Sequence, residues 1–195
     1  MELGSTMAEN RSAFLVALGS NLENEGTTPL VTLQSCLAEF RHEGMQISAV
    51  SRFFATPCFP AGTGPDYVNA ALVLQAALTS RQVLAGLHRI EASFRRTRTE
   101  RWGMRTLDLD LLTAGQAVLP DRAAFDRWRL LPADRQRQEA PAELILPHPR
   151  LQDRAFVLVP LADVARDWRH PVLGQTVAEM LAACPAAEIA EVRPL

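Results

Sequence analysis

Apolar residues along this chain fall into short runs and periodic stripes. Residues 13–18 are almost continuously apolar and stop at Gly19-Ser20-Asn21, the pattern of a buried strand closed by a tight turn. Leu30, Leu33, Leu37 and Phe40 then recur at helical spacing. Thr27 or Thr28 is placed to cap that helix, Pro29 lies in its first turn, and Gly44 ends it. Residues 45–54 and 67–75 predict two further strands, separated by a loop over 56–66 that holds Pro57, Pro60 and Pro65. Ser80 can cap a second helix that buries Val83, Leu84, Leu87, Ile90 and Phe94.

After a basic loop over 95–105, residues 106–113 predict a strand, with apolar and polar positions alternating from Thr106 to Leu111. Gly115-Gln116 suggests a hairpin turn into 117–119. Residues 120–143 are poor in apolar positions and predict a surface insertion with a short helix over 125–131. Apolar sequence returns at 144–149, followed by helices over 155–164 and 176–183 and a last edge strand over 189–192. Helices and strands do not alternate regularly, and several connections are short enough for hairpins. The expected class is therefore α+β with a mainly antiparallel sheet.

Composition narrows the picture. The chain has 195 residues, 48% hydrophobic and 22% charged, which fits one domain over 7–195 carrying the 120–143 insertion. Residues 1–6 read as a cloning remnant, with Met7 as the candidate start. A net charge of −2 argues against a nucleic-acid partner. All 20 basic residues are arginine, which excludes a Schiff-base lysine, a P-loop lysine and a kinase-type ATP lysine. Cys36, Cys58 and Cys184 are scattered and form no Cys-x-x-Cys pair, so a reduced, cytoplasmic setting is expected. The sequence shows no signal peptide and no apolar run long enough to span a membrane, so no membrane partner is expected.

The chemistry concentrates at residues 101–110. On the alternating strand Leu107, Leu109 and Leu111 share one face, while Thr106, Asp108 and Asp110 share the other. Two carboxylates side by side repel each other unless a cation compensates them. Hard oxygen ligands beside an arginine-rich loop suit a magnesium–polyphosphate site. An Asp-x-Asp on a strand can also be the solvated face of a half-buried sheet, and the neighbouring arginines favour the metal reading.

Taken together, the motifs resemble those of the 6-hydroxymethyl-7,8-dihydropterin pyrophosphokinase family of the folate pathway. They are Gly19-Ser20-Asn21, Thr56-Pro57, Asp66-Tyr67-Val68-Asn69, Arg89-Ile90-Glu91, Arg101-Trp102-Gly103, Arg105-Thr106-Leu107-Asp108-Leu109-Asp110, Pro147-His148-Pro149-Arg150 and Arg154-Ala155-Phe156. Their order and spacing carry the likeness. It implies a ferredoxin-like α+β sandwich and transfer of pyrophosphate from ATP, the co-substrate, to the pterin hydroxymethyl, with release of AMP.

By the same resemblance Asp108 and Asp110 hold two Mg2+ ions. Arg96 and Arg105 steady the phosphates, and His148 and Arg154 complete the phosphate cradle. Glu91, Arg98 and the chain near Leu111 contact ATP. Trp102 closes over the site and reaches both substrates. Tyr67 and Phe156 sandwich the pterin, Asn69 reads its edge, and Thr56, Pro57, Phe59 and Asp108 complete that pocket. A monomer is expected, with a dimer as the alternative.

The chain departs from the family pattern in having Arg95 for a usual Gly, Met104 for a common Pro and His88 for a Gln of some relatives. Two rival readings stay open at this stage. One is another magnesium-dependent nucleotide transferase that uses Asp-x-Asp to hold a nucleotide diphosphate. The other is a non-catalytic ligand-binding domain descended from such an enzyme.

Overall fold

A computed structural model of the chain describes residues 11–24, 26–58, 64–94, 106–132, 135 and 138–195. The first apolar run is β1 (Ser12–Ser20), with Phe14, Val16 and Leu18 in one apolar cluster and Leu15 and Ala17 in another. A strand covered on both faces has no need of polar alternation, which explains the continuous run. Thr28 caps α1 (Pro29–Cys36) by accepting the Val31 N–H. The expected single helix ends there, and a separate turn, α2 (Glu39–His42), buries Phe40.

The strand expected over 45–54 is two strands. β2 (Gln46–Val50) and β3 (Phe54–Thr56) pair in succession along the same side of β4 (Tyr67–Ala76). Ser51 makes the break. Its N–H donates to the Ala71 carbonyl at 2.9 Å, while its Oγ accepts the Ala71 N–H at 2.8 Å in place of a ladder carbonyl. Helix α3 (Ser80–Ser93) is capped by Thr79 rather than Ser80, in a capping box with Gln82. β5 (Asp108–Ala114) then pairs antiparallel with β1, with a bulge opposite Leu15 and Val16 that places Leu112 on the same side as Leu15.

The sheet order is β5-β1-β4-β3, with β2 also on β4, and every pairing is antiparallel. Counting β2 and β3 as one interrupted strand, the chain runs βαββαβ in the ferredoxin-like arrangement. The fold class is thus the expected α+β sandwich. One sheet face packs on α1, α2 and α3 through Leu33, Cys36, Phe40, Val83, Leu87 and Ile90.

The segment expected to be an insertion is flanked by a two-residue bridge. Leu119 and Leu146 each donate an N–H to the other's carbonyl, which takes the place of the expected hairpin at 117–119. Within it, α4 (Arg122–Arg129) is capped by Asp121 and buries Phe125. Phe125 packs near Ile145, Val118 and Trp128. Trp128, half-buried here, is part of the packing.

The second sheet face is covered by α5 (Ala155–Val164) and α6 (Val177–Ala183), through Val157, Leu158, Leu161, Val177 and Met180 against Leu15, Ala71 and Leu112. The edge strand expected over 189–192 is instead α7 (Ala186–Ala190), followed by β6 (Arg193–Pro194) on β3. Pro185 before Ala-Ala-Glu favours that helical turn.

Candidate active site

Sheet register decides which expected residues meet. Gly19 of β1 pairs with Asp108 on one side and Asn69 on the other. Ala17 likewise lies between Asp110 and Ala71. Asp108, Asp110, Gly19, Asn69 and Tyr67 therefore share one sheet face. It is the face that α5 covers further along, through Ala71 and Leu112. The face changes from apolar to polar where α5 begins.

On the β4 side, Asn69 is only 6% exposed, and its Nδ2 donates to Thr56 Oγ1 at 2.7 Å. Thr56 pairs with Tyr67 across β3–β4, so the two share this face as well. Gly19 forms the floor between the two halves of the site. A Cβ there would lie 3.1 Å from Asn69 Oδ1 and 3.9 Å from Tyr67 Cδ1. Just beyond Pro57, Cys58 Sγ donates to the Gly64 carbonyl at 3.0 Å. Asn21 Nδ2 donates to the Pro65 carbonyl at 3.2 Å.

On the β5 side, Glu91 fixes the strand between the two aspartates. Its Oε1 accepts the Leu109 N–H at 2.9 Å, and the residue is 2% exposed. Ser20 Oγ donates to the Thr106 carbonyl at 2.6 Å, tying the entry of β5 to β1. The side chain of Leu111 lies in the apolar cluster.

Arg154 stands at the N-cap of α5 without capping it. Its Nη1 is 4.0 Å from Asp110 Oδ2, and its Cζ lies 5.7 Å from the centre of the Phe156 ring. Phe156 is 42% exposed, whereas its helix neighbours Val157, Leu158 and Leu161 are buried.

His148 donates its backbone N–H to the Leu112 carbonyl at 2.7 Å, so it sits beside β5. Its Nδ1 accepts the Arg150 N–H at 3.1 Å. Burial pushes the imidazole down to about 3; Arg154 adds to the shift, Asp108 opposes it and Arg150 adds a smaller part. The ring is therefore neutral, with its proton on Nε2. It can donate a hydrogen bond to an anionic oxygen and does not act as an acid at neutral pH.

Thus the structure brings together Thr56, Tyr67, Asn69, Asp108, Asp110, His148, Arg154 and Phe156, with Pro57 and Glu91 adjoining. Phe59, Arg96, Arg98, Trp102 and Arg105 lie outside the described residues. Sequence reasoning gives no individual role to Ser20, Asn21, Gly19 or Arg150. The Gly-Ser-Asn triplet was the available signal for the first three, and the Pro147-His148-Pro149-Arg150 motif was the signal for the fourth.

The donor set fits magnesium held jointly with a polyphosphate. No group of three or more His, Cys, Asp or Glu that could hold a metal occurs among the described residues. Mg2+ commonly takes one or two carboxylates and completes its shell from phosphate oxygens and water.

A family model described as 7,8-dihydro-6-hydroxymethylpterin-pyrophosphokinase (HPPK) matches residues 15–166. The chain belongs to this family. It is 35% identical over 168 residues to the 2-amino-4-hydroxy-6-hydroxymethyldihydropteridine pyrophosphokinase of a Synechocystis strain, covering 86% of this chain and 73% of that one. It is 37% identical over 171 residues to the enzyme of the same name from Pseudomonas aeruginosa, covering 87% and 90%.

Among solved structures, an HPPK-DHPS in complex with substrates has a TM-score of 0.63 at 10% identity, covering 89% of this chain and 43% of that one. The Plasmodium falciparum HPPK-DHPS triple mutant with pteroate has a TM-score of 0.60 at 11% identity, covering 91% and 44%. This chain spans less than half the length of those solved chains, which share its fold. As an HPPK family member the chain is an enzyme, a transferase of the pyrophosphokinase kind. Among the described residues no helix is long and apolar enough to cross a membrane.

Proposed function

We propose that this HPPK family member transfers the terminal pyrophosphoryl group of ATP to the hydroxymethyl oxygen of 6-hydroxymethyl-7,8-dihydropterin in folate biosynthesis. AMP leaves as the bond from the β-phosphorus to the AMP oxygen breaks. The observation that carries the reading is the register Asp108–Gly19–Asn69, which aligns an acid pair and a buried amide across a single strand. Two strand spacings separate them by about 10 Å. One half of the site suits a charged phosphate chain and the other a flat heterocycle.

Asp108 and Asp110 hold two Mg2+ ions, which when bound neutralise phosphate charge and align the attacked phosphorus. His148 donates Nε2–H to a phosphate oxygen, and Arg154 offers its guanidinium fork to another. Tyr67 and Phe156 take the pterin ring on its faces. Because Thr56 Oγ1 accepts from Asn69, the Thr56 hydroxyl proton is available to the ligand, and Asn69 Oδ1 is left to accept from it. Pro57 and Phe59 are the further pterin contacts of this reading. Arg96, Arg98, Trp102 and Arg105 add charge and cover from the basic loop. Glu91 acts through the Leu109 N–H, holding both aspartates on one line, and Leu111 contributes backbone beside ATP.

The three cysteines form no disulfide, which suits a cytoplasmic enzyme. The unit is a single domain over 7–195 with its insertion, working as a monomer on small-molecule substrates. Product analysis tests the reading. Protein incubated with ATP, magnesium and the pterin should release AMP only when pterin is present. Release of ADP instead would point to another nucleotide transferase. Pterin and ATP binding with no turnover would point to a non-catalytic domain.

A further inference from the structure

Arg154 makes two contacts at once: Nη1 lies 4.0 Å from Asp110 Oδ2, and Cζ lies 5.7 Å from the centre of the Phe156 ring. Its side chain is only 21% exposed, whereas that of Asp110 is 40% exposed. As the N-cap residue of α5 it has an extended backbone, φ −126° and ψ 102°, and its side chain makes no cap hydrogen bond. The guanidinium is thus turned toward Asp110 and steadied by an aromatic face. It stands beside a carboxylate that a divalent ion would use.

We propose that Arg154 is the resident counter-ion of the Asp108/Asp110 pair, so that a metal ion must displace it and binds well only when a polyphosphate arrives to give the guanidinium a new partner. The proposal rests on the reading of Asp108 and Asp110 as metal ligands and adds a property to it. The arginine links the two loading events: alone it opposes the metal, and with the polyphosphate it assists. A site that held magnesium tightly by itself would need no such link. Two carboxylates with no third acid among the described residues already favour weak binding of the free ion.

The test is Mn2+ binding, followed by electron paramagnetic resonance of the free ion, first without nucleotide. Removing a positive charge 4.0 Å from Asp110 should tighten binding in Arg154→Gln by about fivefold or more, the factor that corresponds to ~1 kcal/mol for unit charges at that distance in water. Arg154→Lys retains the charge and should stay near the wild type. Adding a non-hydrolysable ATP analogue should improve Mn2+ binding much more in the wild type than in Arg154→Gln.

Mn2+ affinity in Arg154→Gln equal to or below that of the wild type, in protein with unchanged near-ultraviolet circular dichroism, would overturn the proposal. Asp110→Asn separates the two levels of inference. If it leaves Mn2+ binding unchanged with and without the analogue, the metal reading of the aspartates itself fails. If it abolishes binding while Arg154→Gln changes nothing, only the counter-ion role fails.

Discussion

Gly19→Ala offers a clean dissection of the site, because among the described residues the added methyl meets only Asn69 and Tyr67, in the half proposed for the pterin. The new Cβ would lie 3.1 Å from Asn69 Oδ1 and 3.9 Å from Tyr67 Cδ1. The first contact is a few tenths of an ångström too close. Asn69 cannot easily retreat: it is buried, and its Nδ2 is held on Thr56 Oγ1 at 2.7 Å. The carboxamide must tilt, and the hydrogen bond it offers the pterin edge is bent or lost. A neutral hydrogen bond contributes about 0.5–1.5 kcal/mol, so the pterin KM should rise by roughly 2- to 13-fold.

The backbone gives the opposite sign for stability. Gly19 is a strand residue without positive φ, and glycine in a strand interior is less stable than alanine by about 0.5–1 kcal/mol. The variant should therefore melt at or slightly above the wild-type temperature while binding pterin less well. Steady-state AMP formation with each substrate varied in turn, together with thermal unfolding, measures both. An unchanged pterin KM would refute the reasoning. So would a rise in the ATP KM as large as the rise in the pterin KM, since no part of the acid pair is touched.

Further expectations follow from two other buried groups. Glu91→Leu should leave the Leu109 N–H buried without its acceptor, lowering stability by about 1–3 kcal/mol and kcat by roughly 10- to 100-fold as the strand between the aspartates shifts. Glu91→Gln retains the oxygen, so melting temperature and kcat should stay much closer to wild type; losses equal to those of the leucine variant would show that the charge, not the strand anchor, matters. His170 is fully buried against Phe125 and Trp168, its Nδ1 accepting the Val172 and Leu173 N–H groups, and burial pushes it down to about 4 with Arg129 adding to the shift. Protonation then favours the unfolded chain, so stability should be full above pH ~6.5 and fall by up to about 3 kcal/mol toward pH 4. His170→Asn should flatten that part of the pH–stability profile relative to wild type; parallel profiles would contradict the assignment.

The sequence carried much of this site because its chemistry lies on regular elements. Alternation over 106–111 put Leu109 and Leu111 on one face and both aspartates on the other, and the register agrees until the bulge at Leu112. Two elements misled for local reasons. Ser51 interrupts a run of strand-forming residues by substituting its hydroxyl for a ladder carbonyl, an event that periodicity does not register. At the C-terminal end Ile189 and Val192 looked like an edge strand, although Pro185 and the two alanines after it already signalled a helical turn.

The contacts of Arg154 with Asp110 and Phe156 were invisible for a different reason. They join residues far apart in sequence or side by side on one helix start, and only the packing of α5 on the sheet brings them together. The Asp108–Gly19–Asn69 line is likewise a matter of register among three strands, whereas the glycine alone reads as an ordinary turn residue.

The most direct test of the account compares wild type with Asp110→Ala in AMP formation from ATP and 6-hydroxymethyl-7,8-dihydropterin at saturating magnesium. Metal-borne charge stabilisation amounts to several kcal/mol, so the account predicts pterin-dependent AMP release that falls by about a thousandfold in the variant while the fold is retained. AMP release undiminished by the substitution, or absent from well-folded wild-type protein, would contradict it.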